Sequence, residues 1–90
     1  MNQNNLVKRL KKLSEDILEF DLEIDDNSRD YVTLGTDDFP DLISISKESK
    51  SLVLDFAEGL YRITLFDKYE EYYTDEFFIN LIKTVVDFEQ

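Results

Sequence analysis

Carboxylates at every second position are the first feature of this chain that could do chemistry. Asp21, Glu23 and Asp25 alternate with Phe20, Leu22 and Ile24, and Asp26 follows. In a β-strand successive side chains point to opposite faces. The apolar three would then face a core, and the carboxylates would form an outward row with about 6.6 Å between neighbours. Two carboxylates can act as general acid and base, but only where a cleft raises the pKa of one of them. An outward row provides no such cleft. The chain also has no histidine, cysteine or tryptophan. That removes the commonest general base, thiol catalysis and the usual zinc ligands. The expectation is a binding protein with an acidic face, with no catalytic residue, no metal and no cofactor.

Two other patterns invite a ligand. Asp26, Ser28 and Asp30, with Asp37 in twelfth place, imitate a calcium loop. Tyr31 stands sixth, where glycine is needed for the sharp turn, and the last ligand would be Asp rather than a bidentate Glu. A turn with solvated acids accounts for the same residues. The run Tyr69-Glu70-Glu71-Tyr72-Tyr73-Thr74-Asp75-Glu76-Phe77 interleaves aromatics with acids. In an interface, tyrosines supply rigid contact area and acids select a basic partner. The same tyrosines could instead pack, within a loop, over the start of the last helix.

Charge is unevenly placed. The formal net charge is −11, from 10 basic and 21 acidic residues. Lys8, Arg9, Lys11 and Lys12 cluster near the start without an acid among them; they could touch nucleic acid, but read more readily as the solvated face of a helix that pairs with acidic neighbours. From Glu15 to Asp41 eleven acids face Arg29 alone. Such a surface repels nucleic acid and anionic membrane and attracts basic proteins. It also keeps a small protein soluble, a use that needs no partner. The residues expected to meet a partner are Asp21, Glu23, Asp25, Asp26, Asp37, Asp38, Glu70, Glu71, Tyr72, Tyr73, Asp75 and Glu76.

Ninety residues, 42% of them hydrophobic, predict one domain with a single core. The N-terminal Met1-Asn2-Gln3-Asn4-Asn5 has no apolar segment, and no apolar run nears the roughly 18 residues of a membrane span. Neither a signal peptide nor a transmembrane helix is expected. The absence of cysteine fits a reducing cytoplasm.

Leu6, Leu10, Leu13, Ile17 and Phe20 recur at helical spacing, predicting a helix from about Asn5 to Glu19, capped by Asn4 or Asn5. The spacing reaches Ile24, but Asp21, Asp25 and Asp26 are poor helix residues, so a strand is expected after about Phe20. Asp26 to Arg29 reads as a turn. Strands are expected over 31–34, 42–46, 52–56 and 60–66, the last two forming a hairpin around Glu58-Gly59. Thr74 should cap a final helix whose stripe is Phe77, Phe78, Leu81, Ile82, Val85 and Val86. The fold class is α+β: an N-terminal helix, a small antiparallel sheet of four to five strands, and a C-terminal helix, with both helices on one face.

In composition and element order the chain resembles small phage-borne anti-CRISPR proteins that inhibit Cas9. The features concerned are the helix over 5–19, the strands from Phe20 to Phe66 and the acidic-aromatic run from Tyr69 to Phe77. The acidic row itself suggests an inhibitor that occupies a basic nucleic-acid groove, the resemblance agrees with that inside a bacterial cell, and a monomer or homodimer is expected. The resemblance carries over no functional residue. Small acidic immunity proteins that neutralise a nuclease toxin look similar, and they imply blocking without mimicry. A non-enzymatic adaptor with solubilising charge is the third alternative.

Overall fold

The computed structural model describes residues 2–26, 31–56 and 59–89. Helix α1 (Gln3–Leu18) is followed by five strands, β1 (Glu23–Asp25), β2 (Tyr31–Gly35), β3 (Ile43–Lys47), β4 (Ser51–Phe56) and β5 (Tyr61–Phe66). A 3₁₀ segment (Asp67–Tyr72) leads to helix α2 (Asp75–Glu89). The strands form one antiparallel meander in the order β1-β2-β3-β4-β5. The expected α+β fold, helix then sheet then helix, is present.

The sheet is dry on one side. Val32, Leu34, Ile43, Ile45, Leu52, Leu54, Phe56 and Leu65 join Leu6, Val7 and Leu10 of α1 and Phe78, Ile82 and Val85 of α2 in a single buried cluster. Period-two alternation in the strands and the helical stripes predict this layering. Burial also decides whether α1 forms. Its bases lie early and its acids late, against the helix dipole, at about 0.3–1 kcal/mol per charge. Three fully buried aliphatic side chains contribute about 1.5–3 kcal/mol each and outweigh that. The helix starts earlier than expected, and its cap is Asn2 rather than Asn4 or Asn5: the Asn2 carboxamide oxygen accepts the Asn5 N–H at 3.1 Å.

The helix does not run on toward Ile24. Glu19 adopts a left-handed conformation (φ 62°) and its N–H bonds the Glu15 carbonyl, closing α1 at Leu18. One expectation fails here. Of Phe20, Leu22 and Ile24 only Leu22 is buried, whereas Phe20 is 45% and Ile24 46% exposed. Phe20 precedes the strand. Ile24 pairs with Leu34 and so lies on the helix side, but on an edge strand, while α1 packs over β2 and β3. The expected hairpin exists as the β4–β5 pairing, with Gly59 at φ 88° in its turn. Residues 57–58 of that link, and 27–29 of the expected turn after Asp26, lie outside the described residues.

Gly35 has no room for a side chain. A Cβ there would strike the carbonyl oxygens of Phe39 and Pro40, because loop 36–42 folds back against the end of β2. The Thr36 N–H bonds the Phe39 carbonyl at 3.0 Å, and the Thr36 hydroxyl accepts the Phe39 N–H at 3.1 Å, closing the loop. Gly35→Ala should therefore cost about 1–3 kcal/mol, read as a lower urea midpoint.

Candidate functional site

Two exposed acidic surfaces emerge, at opposite edges of the sheet. The first is the corner made by β1 and loop 36–42. Glu23 pairs with Gly35 and Asp25 with Thr33, so both carboxylates face the sheet side away from the helices. Asp21 and Asp26 flank the strand and are exposed, and Asp37 and Asp38 are exposed just past Gly35. The carboxylate row is thus partly strand: Glu23 and Asp25 sit in β1, while Asp21 belongs to the connection before it. Among the described residues, no ion pair joins these acids to a base.

Glu15 sets the position of this corner. Its carboxylate accepts the Leu22 N–H at 2.7 Å and pairs with Lys11 at 2.8 Å, tying the chain entering β1 to α1. The bond from Lys11 chiefly, and the Leu22 N–H next, hold the Glu15 pKa below the ordinary glutamate value.

The second surface is the 3₁₀ segment and the start of α2. The acidic-aromatic run starts in 3₁₀ turns that meet at a non-helical Tyr69 and end at Tyr72, held by the Asp67 N–H on the Lys50 carbonyl at 3.0 Å, and passes through Tyr73 and Thr74 into α2. Glu70, Glu71 and Glu76 are exposed, and Tyr72 is 67% exposed. Tyr73 behaves differently. Its hydroxyl accepts the Phe66 N–H at 3.0 Å, and its ring lies 5.2 Å from Phe77 and 6.4 Å from Phe78, so it packs over the last helix. Asp75 is engaged by Arg9, whose guanidinium lies 4.9 Å over the Phe78 ring. Arg9 and Lys11 thus pair with acids, as expected for that helix face. Thr74 caps α2 through its hydroxyl, which accepts the Phe77 N–H at 3.2 Å.

Two residues outside the expected set complete this surface. Phe66 and Tyr69 are each 45% exposed. The Tyr69 ring centre lies 6.4 Å from Phe66 and 6.3 Å from Tyr72, and the Lys68 amine sits over both Phe66 and Tyr69. Phe66 shares the strand parity of Arg62 and Thr64, a signal present in the sequence. The two surfaces cannot merge: β1 and β5 are four strand spacings apart, about 19 Å.

Between them the sheet side away from the helices carries the cross-strand row Asp25, Thr33, Ser44, Asp55 and Arg62. Arg62 clamps Asp55 through Nε (2.6 Å) and a terminal nitrogen (3.4 Å), and that bond raises its pKa further above the ordinary arginine value. An open hollow of about 500 Å³ lies there, lined by Tyr31, Asp41, Ser44, Asp55, Gly59 and Arg62. With Asp55 engaged by Arg62, the hollow is an ion-paired polar floor. None of its residues was expected from the sequence, although each strand placed its polar residue between apolar ones. Among the described residues no three acidic, histidine or cysteine side chains gather to hold a metal. The calcium-like run from Asp26 includes residues 27–30, outside the described residues. Among the described residues, no helix is long and apolar enough to cross a membrane.

The chain matches no family model, no curated protein and no solved structure.

Two outcomes follow from these anchors. A depressed folded-state pKa gives stability that is present above the unfolded pKa and lost as pH falls through the folded one. Acidifying the protein below about pH 4 should therefore lower its melting temperature, and Glu15→Gln, already lower at neutral pH, should lose less on acidification. Tyr73→Ala should destabilise by about 1–3 kcal/mol, whereas Tyr72→Ala should stay within about 0.5 kcal/mol in thermal unfolding.

Proposed function

We propose that this chain is a small non-catalytic inhibitor that binds and blocks a basic, nucleic-acid-processing protein by standing in for nucleic acid, in the manner of anti-CRISPR proteins. The observation that supports this best is the β1 corner. Asp21, Glu23, Asp25 and Asp26 lie along this edge and Asp37 and Asp38 in the loop after its partner strand, all exposed and with no ion pair to a base among the described residues. Glu23 and Asp25 are about 6.6 Å apart along one face. Phosphates recur every roughly 3.4 Å of axis along one strand, and winding lengthens their separation through space. The two spacings are of the same order, so a groove lined with Lys and Arg could accept the carboxylates and shed its counterions. The proposed setting is the bacterial cytoplasm.

A second reading rests on the other edge. Phe66, Tyr69 and Tyr72 form an exposed aromatic strip beside Glu70 and Glu71. Aromatic anchors of this kind favour a protein interface without phosphate mimicry, as in an immunity protein that neutralises a toxin.

Pull-down from bacterial lysate with mass spectrometry identifies the partner, and its affinity across a salt series separates the readings. Mimicry requires binding that weakens steeply with salt. Reversing Asp21, Glu23 and Asp25 to Lys should abolish binding and leave thermal unfolding unchanged. Unchanged affinity in that variant would sink the acidic-corner reading. If Tyr72→Ala alone raises the dissociation rate tenfold or more, the aromatic edge is the interface, at about 1.4 kcal/mol for that anchor.

A further inference from the structure

The two edges of the sheet are protected very differently. β1 is three residues long and carries two acids, features that discourage another strand from adding to it. β5 is six residues long, Tyr61-Arg62-Ile63-Thr64-Leu65-Phe66, with no acid, proline or glycine. Its outward backbone groups follow from the ladder. The Asp67 N–H bonds the Lys50 carbonyl, whereas the Phe66 N–H turns away from Ser51 to the Tyr73 hydroxyl. Hydrogen-bonded and non-bonded pairs alternate in an antiparallel ladder. Leu65, Ile63 and Tyr61 therefore bond β4, and the N–H and C=O groups of Arg62 and Thr64 point to the free side. Among the described residues no strand lies there.

We infer that β5 pairs antiparallel with β5 of a second copy, about a two-fold axis through Ile63. This surface is distinct from the acidic corner, so the inference does not rest on the inhibitor reading. The strand is self-complementary in that register. Arg62 of each copy meets Thr64 of the other, which makes four backbone hydrogen bonds, two for each such pair. Ile63, half-buried in one copy, meets its own equivalent. The pairing ends short of Leu60 and Phe66: at Phe66 the Tyr73 hydroxyl already takes the outward N–H, and Leu60 belongs to the turn before the strand. The contact is isologous, the form that closed dimers use. Along 61–65 no acid opposes an acid, and the acidic β1 edges fall at the far ends of the joined sheet.

The Ile63 pair is a non-hydrogen-bonded one, with Cα atoms about 4.5 Å apart, within reach of a disulfide. The chain has no cysteine of its own. The full chain should show, by sedimentation equilibrium from micromolar to millimolar concentration, a mass rising to twice 10.7 kDa. Ile63→Cys should oxidise to a covalent dimer, while Thr64→Cys and Asp25→Cys stay mainly reduced. Thr64→Pro, which deletes an outward N–H, should be monomeric with an unchanged circular dichroism spectrum. If that variant fails to fold, Thr64→Lys, which sets lysine against Arg62 of the other copy, should give the same monomer. A monomeric mass at every concentration overturns the inference. So does equal crosslinking at positions 25 and 63, or protection of the β5 amides only when a different protein is added.

Discussion

Water must be kept off one side of a five-stranded meander, and helices α1 and α2 do it. That one-sided burial governs the other features. It holds α1 in place despite an unfavourable order of charges. It leaves the opposite side of the sheet to Thr33, Ser44, Asp55 and Arg62, and it strands Ile24 beyond the cover of the helix layer. Among the described residues it also leaves both sheet edges without a further strand, β5 being covered only at Phe66 by Tyr73, so each edge is managed by its own residues: acids at β1, and at β5 the self-complementary run around Ile63.

Charge follows from the same constraint. With 21 acids and 10 bases, three of the bases serve at joints. Lys11 steadies Glu15, Arg9 ties α1 to the head of α2, and Arg62 neutralises the least exposed carboxylate on the sheet, that of Asp55. What remains negative is pushed to the periphery.

Much of the fold was legible because its signals are local. Alternation in 43–47 and 51–56, the hairpin around Gly59 and the stripe of α2 behind Thr74 depend only on neighbouring residues. What was illegible depends on distant ones. The 3₁₀ segment has no helical apolar period, and the Lys50 carbonyl and Tyr73 hydroxyl secure its approach. The exposure of Phe20 and Ile24 reflects which strands α1 covers, which no spacing encodes. At the candidate site the sequence showed which acids would be wet but not how far apart they would lie. Strand order puts Glu23 and Glu70 at opposite edges, ring packing on α2 divides Tyr73 from Tyr72, and the outward face of β5 adds Phe66 to the exposed strip.

The meander has a consequence for how the chain reaches its native state. Every strand pairs with its neighbour in sequence, so each pairing closes only a short loop, and loop closure is the main entropic obstacle to a sheet. The long-range step is different. Residues near the two ends of the chain must meet, as in the contact between Arg9 and Asp75, 66 positions apart. A sheet that zips locally and a helix layer that docks last would expose the apolar face briefly during folding. Those are the moments when an acidic chain gains from its own charge: copies repel one another until α1 and α2 have closed over the strands.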